Sequence, residues 1–311
     1  RRLKAAQSIR WRSDIGSNSG STAAKGNKIN MPPRTMNFIS TRIGGNRRLS
    51  ALAGCVALVL CLASGQTLAQ SALQGVDLTS ADMTEAEMTR EQVEQQLSAA
   101  SRQNPADFTR KRLSGLDLSG LDFKAAILRS ARLNKTNLRN TDLSDAVLDQ
   151  AWMLDADLSG AQMARANLFQ TQMIGAVLDG ADLSDARITA DLTKASLKNA
   201  KLAGANQSAD RRNQSMGLMR GVLRSANLDG ADLTGANLSR VDFEFSSLKG
   251  ASLENANLMS AELGGADLTG AKIGNANFNL ADVTSATLKS LEGEASSNLS
   301  DAKNLASAIR R

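Results

Sequence analysis

Residues 156–188 read ADLSGAQMARANLFQTQMIGAVLDGADLSDARI, and this stretch decides the fold. A large apolar residue occupies every fifth position from Leu113 to Ile188. After a one-residue shift the period continues at Leu192, Leu197 and Leu202, and it runs again from Leu218 to Leu288. All 34 of these central positions are apolar, 25 are Leu, and 24 have an Ala two positions before them. A chain with 42% apolar residues would not produce this regularity by chance.

A period of five fits neither an α-helix, with 3.6 residues per turn, nor a strand, in which successive side chains alternate. It fits one side of a square coil, which consists of a short extended segment and a turn. The central residue and the small residue two positions earlier then point inward. Four such sides make a coil of twenty residues, and coils stack at the ~4.8 Å spacing of β-strands. Gly, Asn, Asp and Ser are expected at the corners because they tolerate turn conformations.

This register makes residues twenty positions apart neighbours on the stacked coils. Several opposite charges meet at that offset, which supports the register. The predicted pairs are Arg129 with Asp149, Lys135 with Asp155, and Arg165 with both Asp145 and Asp185.

The triplets Ala181-Asp182-Leu183, Ala231-Asp232-Leu233 and Ala236-Asn237-Leu238 resemble the pentapeptide-repeat family, whose tandem pattern is A(D/N)LXX. The resemblance implies an all-β fold: a right-handed quadrilateral β-helix of roughly eight to nine coils with short capping helices. It implies little about chemistry, because the repeat residues are structural. It also implies a solenoid surface suited to binding a protein partner.

Residues 36–69 have the organisation of a signal peptide, with arginines at 42, 47 and 48 before an apolar segment at 49–63. That segment is too short for a membrane span, and Ala69 ends a small-residue cleavage site. We therefore expect a mature chain that begins near Gln70 and is periplasmic or secreted by a bacterium, without membrane insertion. A retained membrane anchor and a lipobox at Cys55 are the alternatives. Residues 1–35 resemble translated upstream sequence and are expected to lie outside the native protein.

The rest of the chain is predicted to form four parts. N-terminal partial repeats and a capping helix are expected over 70–110, the β-helix over 111–290 with a loop at 203–217, and a C-terminal cap over 291–311. Leu78, Met83 and Met88 keep the five-residue register, and Thr89 with Gln92 forms a capping box that begins a helix over 90–101. Near the C-terminus, residues 305 and 309 are expected to share a helical face.

Composition argues against several function classes. Histidine is absent, and both cysteines (Cys55 and Cys61) lie in the leader, so we expect no metal site, cofactor or catalytic residue. Between Lys111 and Lys289 the chain has 20 basic and 20 acidic residues, so this stretch is neutral despite the overall charge of +6. The 34 repeats, at four per coil, make a solenoid ~41 Å long. A DNA mimic of that length needs roughly two dozen net negative charges.

Three functions remain as hypotheses. The first is an exported, non-enzymatic scaffold that binds a protein and does not bind nucleic acid, with a homodimer left open. The alternative is a DNA-mimicking, topoisomerase-binding protein, an activity known in the family. An enzyme is the third, since Ser246 to Lys249 spells SxxK, but Ser246 falls on an inward position. Two outward columns, with Asn at 237, 257 and 277 and acids at 242, 262 and 282, could bind a cation or a glycan, or form an ordinary solvated face.

The predicted protein contact lies near the first coils. Trp152, Leu154 and Ile174 are apolar at positions that normally face solvent and share one side, while Phe169, Val147 and Ile127 share the adjoining side. An exposed apolar cluster of this kind is typical of an interface. The alternative is local: Trp152 covers Arg132 as a cation–π pair. Arg211 and Arg212, in the predicted loop, complete the candidate contact residues.

Overall fold

The computed structural model describes Leu73 and residues 75–101, 103–209 and 220–311. The predicted leader lies outside these residues, as do Arg211 and Arg212.

Two short helices cover the N-terminal end of the solenoid. Helix α1 spans Ala81–Thr84 and α2 spans Arg90–Ser98. The capping box at the start of α2 is present, with the Thr89 side chain accepting from the Gln92 N–H and the Gln92 side chain accepting from the Thr89 N–H. Val93 of α2 is fully buried in the core of the solenoid. The helix therefore closes the open end of the first coil.

The repeat begins later than its five-residue register predicts. Leu78 is 37% exposed and Met83 belongs to α1, so these positions are not sides of a coil. Parallel pairing between coils begins at Asp107. Residues 78–88 keep the five-residue spacing without coil pairing, because there is no coil beneath them to pair with.

Parallel bridges at an offset of twenty define the coil. They join Asp107 to Ile127, and the three following sides pair in the same way, so the predicted stacking is confirmed. We number the four sides by their columns of bridged residues. Side 1 carries 107, 127, 147, 167, 187, 206, 237, 257 and 277; side 2 carries 112, 132, 152, 172, 191, 222, 242, 262 and 282; side 3 carries 117, 137, 157, 177, 196, 227, 247, 267 and 287; side 4 carries 122, 142, 162, 182, 201, 232, 252, 272 and 292.

The core is a stack of central side chains. Leu158 and the small Ala156 before it are both fully buried, and the same pattern continues through the repeat to Leu288. Each fully buried Leu contributes about 1.5–3 kcal/mol before the entropy of ordering it. Most of the inward positions beside the central residues are Ala, and most central residues are Leu, with four Phe side chains (Phe108, Phe123, Phe243 and Phe278) also fully buried in the column.

Each corner is a tight turn closed by a backbone hydrogen bond. The Ala126 N–H donates to the Phe123 carbonyl at 2.9 Å, and Ala125 between them has a φ of 56°. A positive φ at the third residue of a turn is the mark of type II. This conformation recurs two positions after most central residues, and it explains the many Gly, Asn and Ser residues there.

The Asp or Asn before each central residue has a local role. The Asp182 Oδ1 accepts from the Ser184 N–H at 3.0 Å, and the Asp107 Oδ1 accepts from the Thr109 N–H at 2.9 Å. These are Asx turns, in which the side chain hydrogen-bonds the backbone two residues on. The recurring acid is thus required by the turn itself and does not indicate a ligand.

The corner between sides 1 and 2 is irregular in two successive coils. Arg187 and Asp191 are four residues apart instead of five, and one coil later Asn206 and Val222 are sixteen apart. Asn206 still pairs with both Arg187 and Asn237. The predicted loop at 203–217 therefore starts too early, because residues 203–207 continue the coil.

The C-terminal end is an irregular last coil. Three 3-10 turns span Glu294–Ser296, Leu299–Asp301 and Leu305–Ser307. Lys303 and Ile309 pair with the coil below, at Asp282 and Thr287. The predicted helical face shared by residues 305 and 309 is wrong, because these residues lie on separate sides of the coil and Ile309 is 48% exposed.

The stacked charges follow the predicted register only in part. Arg129 pairs with Asp149 at 3.5 Å, and Arg165 donates to both oxygens of Asp145 at 2.8 and 2.7 Å. Lys135 and Asp155 do not form an ion pair among the described residues. The Asp155 carboxylate instead lies over the adjacent corner glycine, at position 175, where no side chain competes for the space.

Candidate functional site

The predicted contact residues lie together on two adjoining sides. Trp152, Leu154 and Ile174 lie on side 2, and the backbones of positions 154 and 174 stack on consecutive coils. Val147 and Phe169 lie on side 1 of the same coils. All five side chains are partly buried, because neighbouring coils cover each of them from above and below.

The cation–π contact forms elsewhere than the sequence alternative suggested. The Arg187 Cζ lies 4.5 Å from the centre of the Phe169 ring, and this is the one cation–π contact in the part of the chain that the structure describes. Arg132 forms an ion pair with Asp82 of the N-terminal cap. Trp152 is therefore not explained as a cover for the Arg132 guanidinium.

The most exposed large apolar side chains of the repeat were not identified from the sequence. Phe245 is 65% exposed and Leu280 is 49% exposed, at the two corners that flank side 2. Both occupy the corner position of positive φ, at 59° and 60°. The available signal is an apolar residue where the turn favours Gly, Asn or Ser. The Phe245 ring covers Gly265 of the next coil and borders a cavity of about 370 Å³.

Arginines bind two of the three acids in the column at positions 242, 262 and 282, namely Asp242 and Glu262. Arg220 donates to both oxygens of Glu262 at 2.6 and 2.7 Å, and Arg224 donates to Asp242 at 2.9 Å and pairs with Glu244 at 2.6 Å. The hydrogen bond to Glu262 raises the pKa of Arg220. Among the described residues no group of three or more His, Cys, Asp or Glu side chains could hold a metal ion.

Asp191 is a half-buried carboxylate on side 2. Burial raises the pKa of Asp191. Hydrogen bonds from Thr193 oppose this rise in pKa, and the negative charge of Asp242 adds to it. The Asp191 Oδ1 accepts from the Thr193 N–H at 3.0 Å and from its hydroxyl at 2.6 Å. The position thus keeps the Asx turn at the cost of a partly desolvated charge.

The Asn column on side 1 forms a hydrogen-bonded ladder. The Asn257 amide donates to the Asn237 Oδ1 at 3.3 Å, and the Asn277 amide donates to the Asn257 Oδ1 at 3.1 Å. Asn298 in the last coil extends the ladder with a donation to Asn277 at 3.1 Å. The donors point toward the N-terminal end, so the NH2 group of Asn237 is the open end of the ladder.

A shallow trough of about 550 Å³ runs along side 1 at that open end. It crosses four successive coils, from Arg187 to Asn257, which is ~14 Å along the axis. Among the described residues its lining contains two arginines and eight neutral residues: Arg187, Thr189, Asn206, Ser208, Ala209, Asn237, Ser239, Arg240, Asn257 and Met259.

The SxxK spelling is explained by the core. Ser246 is 2% exposed and its hydroxyl donates to the Phe243 carbonyl at 2.8 Å, while Lys249 pairs with Asp267 at 3.3 Å on the outside. The two side chains lie on opposite faces of the wall, so the lysine cannot activate this serine as a nucleophile.

Comparison with known proteins identifies the repeat. A family model described as pentapeptide repeats matches in eight copies, over residues 106–189 and 222–290. HetL, a pentapeptide repeat protein involved in heterocyst differentiation regulation from the cyanobacterium Nostoc sp. strain PCC 7120, is 30% identical, with 72% of this chain and 98% of HetL covered and a TM-score of 0.37. A trypsin-treated form of QnrB1, a plasmid-mediated fluoroquinolone resistance protein, is 18% identical, with 62% and 88% covered and a TM-score of 0.35.

Rfr23, a pentapeptide repeat protein from the cyanobacterium Cyanothece 51142, is 28% identical, with 39% of this chain and 64% of Rfr23 covered and a TM-score of 0.14. The eight copies of the family model, and not the superposition on a solved structure, carry the assignment. No curated protein sequence matches the chain significantly. None of the helices in the described part of the chain has the length and apolar character needed to cross a membrane.

Proposed function

Because the chain belongs to the pentapeptide-repeat family, we propose that it is an exported, non-enzymatic scaffold that presents a rigid solenoid surface to a protein partner. We take the solenoid to be right-handed with eight to nine coils, as the family resemblance implies. Each coil contacts only its neighbours, so the fold offers long flat sides and no enclosed catalytic cleft. The buried Ser246 hydroxyl removes the only nucleophile motif that the sequence suggested.

The observation that carries the proposal is the apolar cluster on the adjoining sides 1 and 2. Trp152 and Leu154 lie on one coil, and Ile174 follows at the position above Leu154 on the next coil, beside Val147 and Phe169 on side 1. The outward positions of the repeat are otherwise mostly polar, and large aromatic side chains are typical of the residues that dominate binding energy. We propose this cluster as the protein contact, with a second copy of the chain or a different protein as the partner. Arg211 and Arg212, which lie outside the described residues, remain part of the proposed contact.

The double variant Trp152→Ser with Leu154→Ser tests the contact. We expect loss of self-association in sedimentation, or of capture of a defined partner, at a nearly unchanged melting temperature. Phe245→Ser is the matched control, since it removes an exposed aromatic from a corner that flanks side 2, several coils away. A double variant that melts much lower and associates as before would make the cluster structural.

Export is tested by sequencing the N-terminus of protein from the producing cell. We expect a start near Gln70, as the small residues before it indicate. Abundant cytoplasmic protein that retains Met36 would refute export and favour the topoisomerase alternative. That alternative is otherwise disfavoured by charge, because the 20 acids between Lys111 and Lys289 are matched by 20 bases.

A further inference from the structure

We propose that residues 75–88, which we call the strap, form the chain's own cover for the apolar cluster on side 2, and that the upper end of the strap (residues 75–80) regulates access to it. The inference rests on the proposed function, because it names what controls the same contact. The strap includes α1 and is bound to side 2, whose following coils carry Trp152, Leu154 and Ile174. Its contacts follow a register that leads to the cluster.

Two acids anchor the strap to the first two coils. The Glu87 N–H donates to the Arg112 carbonyl at 2.9 Å, and the Glu87 carboxylate lies 3.6 Å from the Arg112 Nε. Asp82, five residues earlier, pairs with Arg132, which is stacked on Arg112 in the next coil. The strap therefore rises by one coil in five residues, toward its N-terminal end.

The residue beside the second anchor links the strap to the cluster. The Met83 carbonyl accepts from the Asn134 amide at 3.0 Å, and the Asn134 Oδ1 accepts from the Leu154 N–H at 3.0 Å. Met83 is 4% exposed, but it is not part of the solenoid core formed by the described residues. It is buried instead between the cap and the outer wall of side 2, one row below Leu154.

The next step of five residues brings the strap to the cluster. Leu78 precedes Met83 by five residues, so the register places it one coil higher, beside Leu154. At the same step the column of bridged residues changes from arginine to Trp152, and the strap changes from paired acids to Val76 and Leu78. A coil spacing of ~4.8 Å is well within the reach of five residues. Charges therefore face charges on the two lower rows, and apolar side chains face apolar side chains on the third.

The upper end is held less firmly than the anchors, as a cover that opens requires. Val76 and Leu78 are each 37% exposed. The Asp77 Oδ1 between them accepts from the Thr79 N–H at 2.9 Å and from the Thr79 hydroxyl at 2.7 Å, so this carboxylate is bonded within the strap. Asp77 forms no ion pair with the described residues, unlike the two anchoring acids. The upper end can therefore leave side 2 while the anchors stay in place.

A disulfide tests the inferred neighbourhood and also locks the strap. The mature chain expected to start near Gln70 has no cysteine, so Leu78→Cys with Leu154→Cys gives a single pair of thiols. A disulfide requires Cα atoms about 4.4–6.8 Å apart. We expect oxidation to close this pair in most molecules. The control, Leu280→Cys with Leu154→Cys, joins positions several coils apart and should give no bond within one chain. Failure of the first pair to close would overturn the proposal.

Trp152 fluorescence measures the cover without engineered thiols. The two tryptophans are at positions 11 and 152 and tyrosine is absent, so the mature chain emits from Trp152 alone. Val76→Ser with Leu78→Ser should shift the emission to longer wavelength and raise the acrylamide quenching constant at least about twofold, because the closed population falls. Leu280→Ser, which removes a leucine that is 49% exposed, should change neither. Unchanged emission and quenching in the strap variant would also overturn the cover.

Sedimentation tests the regulation, with a second copy of the chain as the probe. The oxidised form of Leu78→Cys with Leu154→Cys should self-associate at least about tenfold more weakly than its reduced form. Equal association of the two forms would refute the regulation. Absence of association in every form, the strap variant included, would refute the contact between copies together with its regulation. The disulfide yield and the Trp152 emission decide the cover by themselves, so failure of the proposed function and failure of the cover are distinguishable.

Discussion

Gln207 is a polar residue in a column of large apolar side chains, and we predict that Gln207→Leu stabilises the protein. It occupies the central position of side 1, between Ile188 of the coil below and Leu238 of the coil above. Its side chain is fully buried, and neither Oε1 nor Nε2 has a hydrogen-bond partner among the described residues. Its backbone is regular, because its N–H donates to the Asn237 carbonyl at 2.9 Å and its carbonyl accepts from the Gly221 N–H at 3.0 Å.

The magnitude follows from the two unpaired amide atoms. A buried polar group without a partner costs about 1–3 kcal/mol in proteins. Leu at this position removes that cost and adds apolar contact with Ile188 and Leu238, at similar side-chain size. We therefore expect Gln207→Leu to raise the free energy of unfolding by about 1–3 kcal/mol. The main-chain bonds of the coil do not involve the amide, so they remain in place.

The assay is urea denaturation, in which a shift of the midpoint at constant m-value reports stability. Gln162→Leu is the control, since Gln162 is exposed on side 4, and we expect it to change stability by less than about 0.5 kcal/mol. Because solenoids can unfold in parts, hydrogen exchange of the coil that contains Gln207 should show the gain locally. A midpoint that is unchanged or lowered by Gln207→Leu would show that the amide is satisfied by water or by the adjoining loop.

Further predictions concern the core, the corners and the buried acid. Leu158→Asp should cost several kcal/mol in a thermal melt, whereas Asp157→Ser should cost less than about 1 kcal/mol, because a serine hydroxyl can accept the same turn N–H; equal losses would refute the inward and outward assignment. Gly120 and Ala125 both have a positive φ, of 72° and 56°. Gly120→Ala should therefore destabilise by about 1 kcal/mol, because a Cβ is disfavoured in this conformation, whereas Ala125→Gly should not destabilise. Opposite signs in urea midpoints would contradict the turn type. Burial raises the pKa of Asp191 above its ordinary 3.8, so this carboxylate lowers stability as pH rises from 3.8 through the folded pKa. Asp191→Asn should therefore stabilise more at pH 7 than at pH 4 in paired melts, and an equal effect at both values would rule out the ionised group as the cause.

The period of five determines most of the coil before any coordinates are known. It assigns each residue to a side and to an inward or outward position, and the burial of Leu158 and the bridge from Asp107 to Ile127 confirm both. The capping box at Thr89 was also predictable, because its two hydrogen bonds depend on residues three positions apart. These are local rules, and they succeed where the backbone repeats itself.

The ends of the solenoid do not follow from local rules. Met83 keeps the five-residue register, yet it lies in a helix, because there is no coil below it to supply hydrogen-bond partners. Asn134 shows what replaces that pairing: its amide donates to the Met83 carbonyl at 3.0 Å, and its Oδ1 accepts from the Leu154 N–H at 3.0 Å. Such a contact spans 51 residues in sequence, so no periodicity can indicate it.

The same reasoning explains why the candidate sites differ in how well the sequence predicts them. The apolar cluster around Trp152 can be predicted from the sequence, because the register alone places its members on adjoining sides. The trough depends instead on which atom of Asn237 faces outward, and this is decided by the Asx turn that takes its carbonyl oxygen. Arg224 and Arg220 pair with the nearby acids, and Arg240 at the edge of the trough forms no ion pair with the described residues. A chain with equal numbers of acids and bases can therefore differ in charge from one patch of its surface to another, because the pairing of its charges is set by stacking and not by composition.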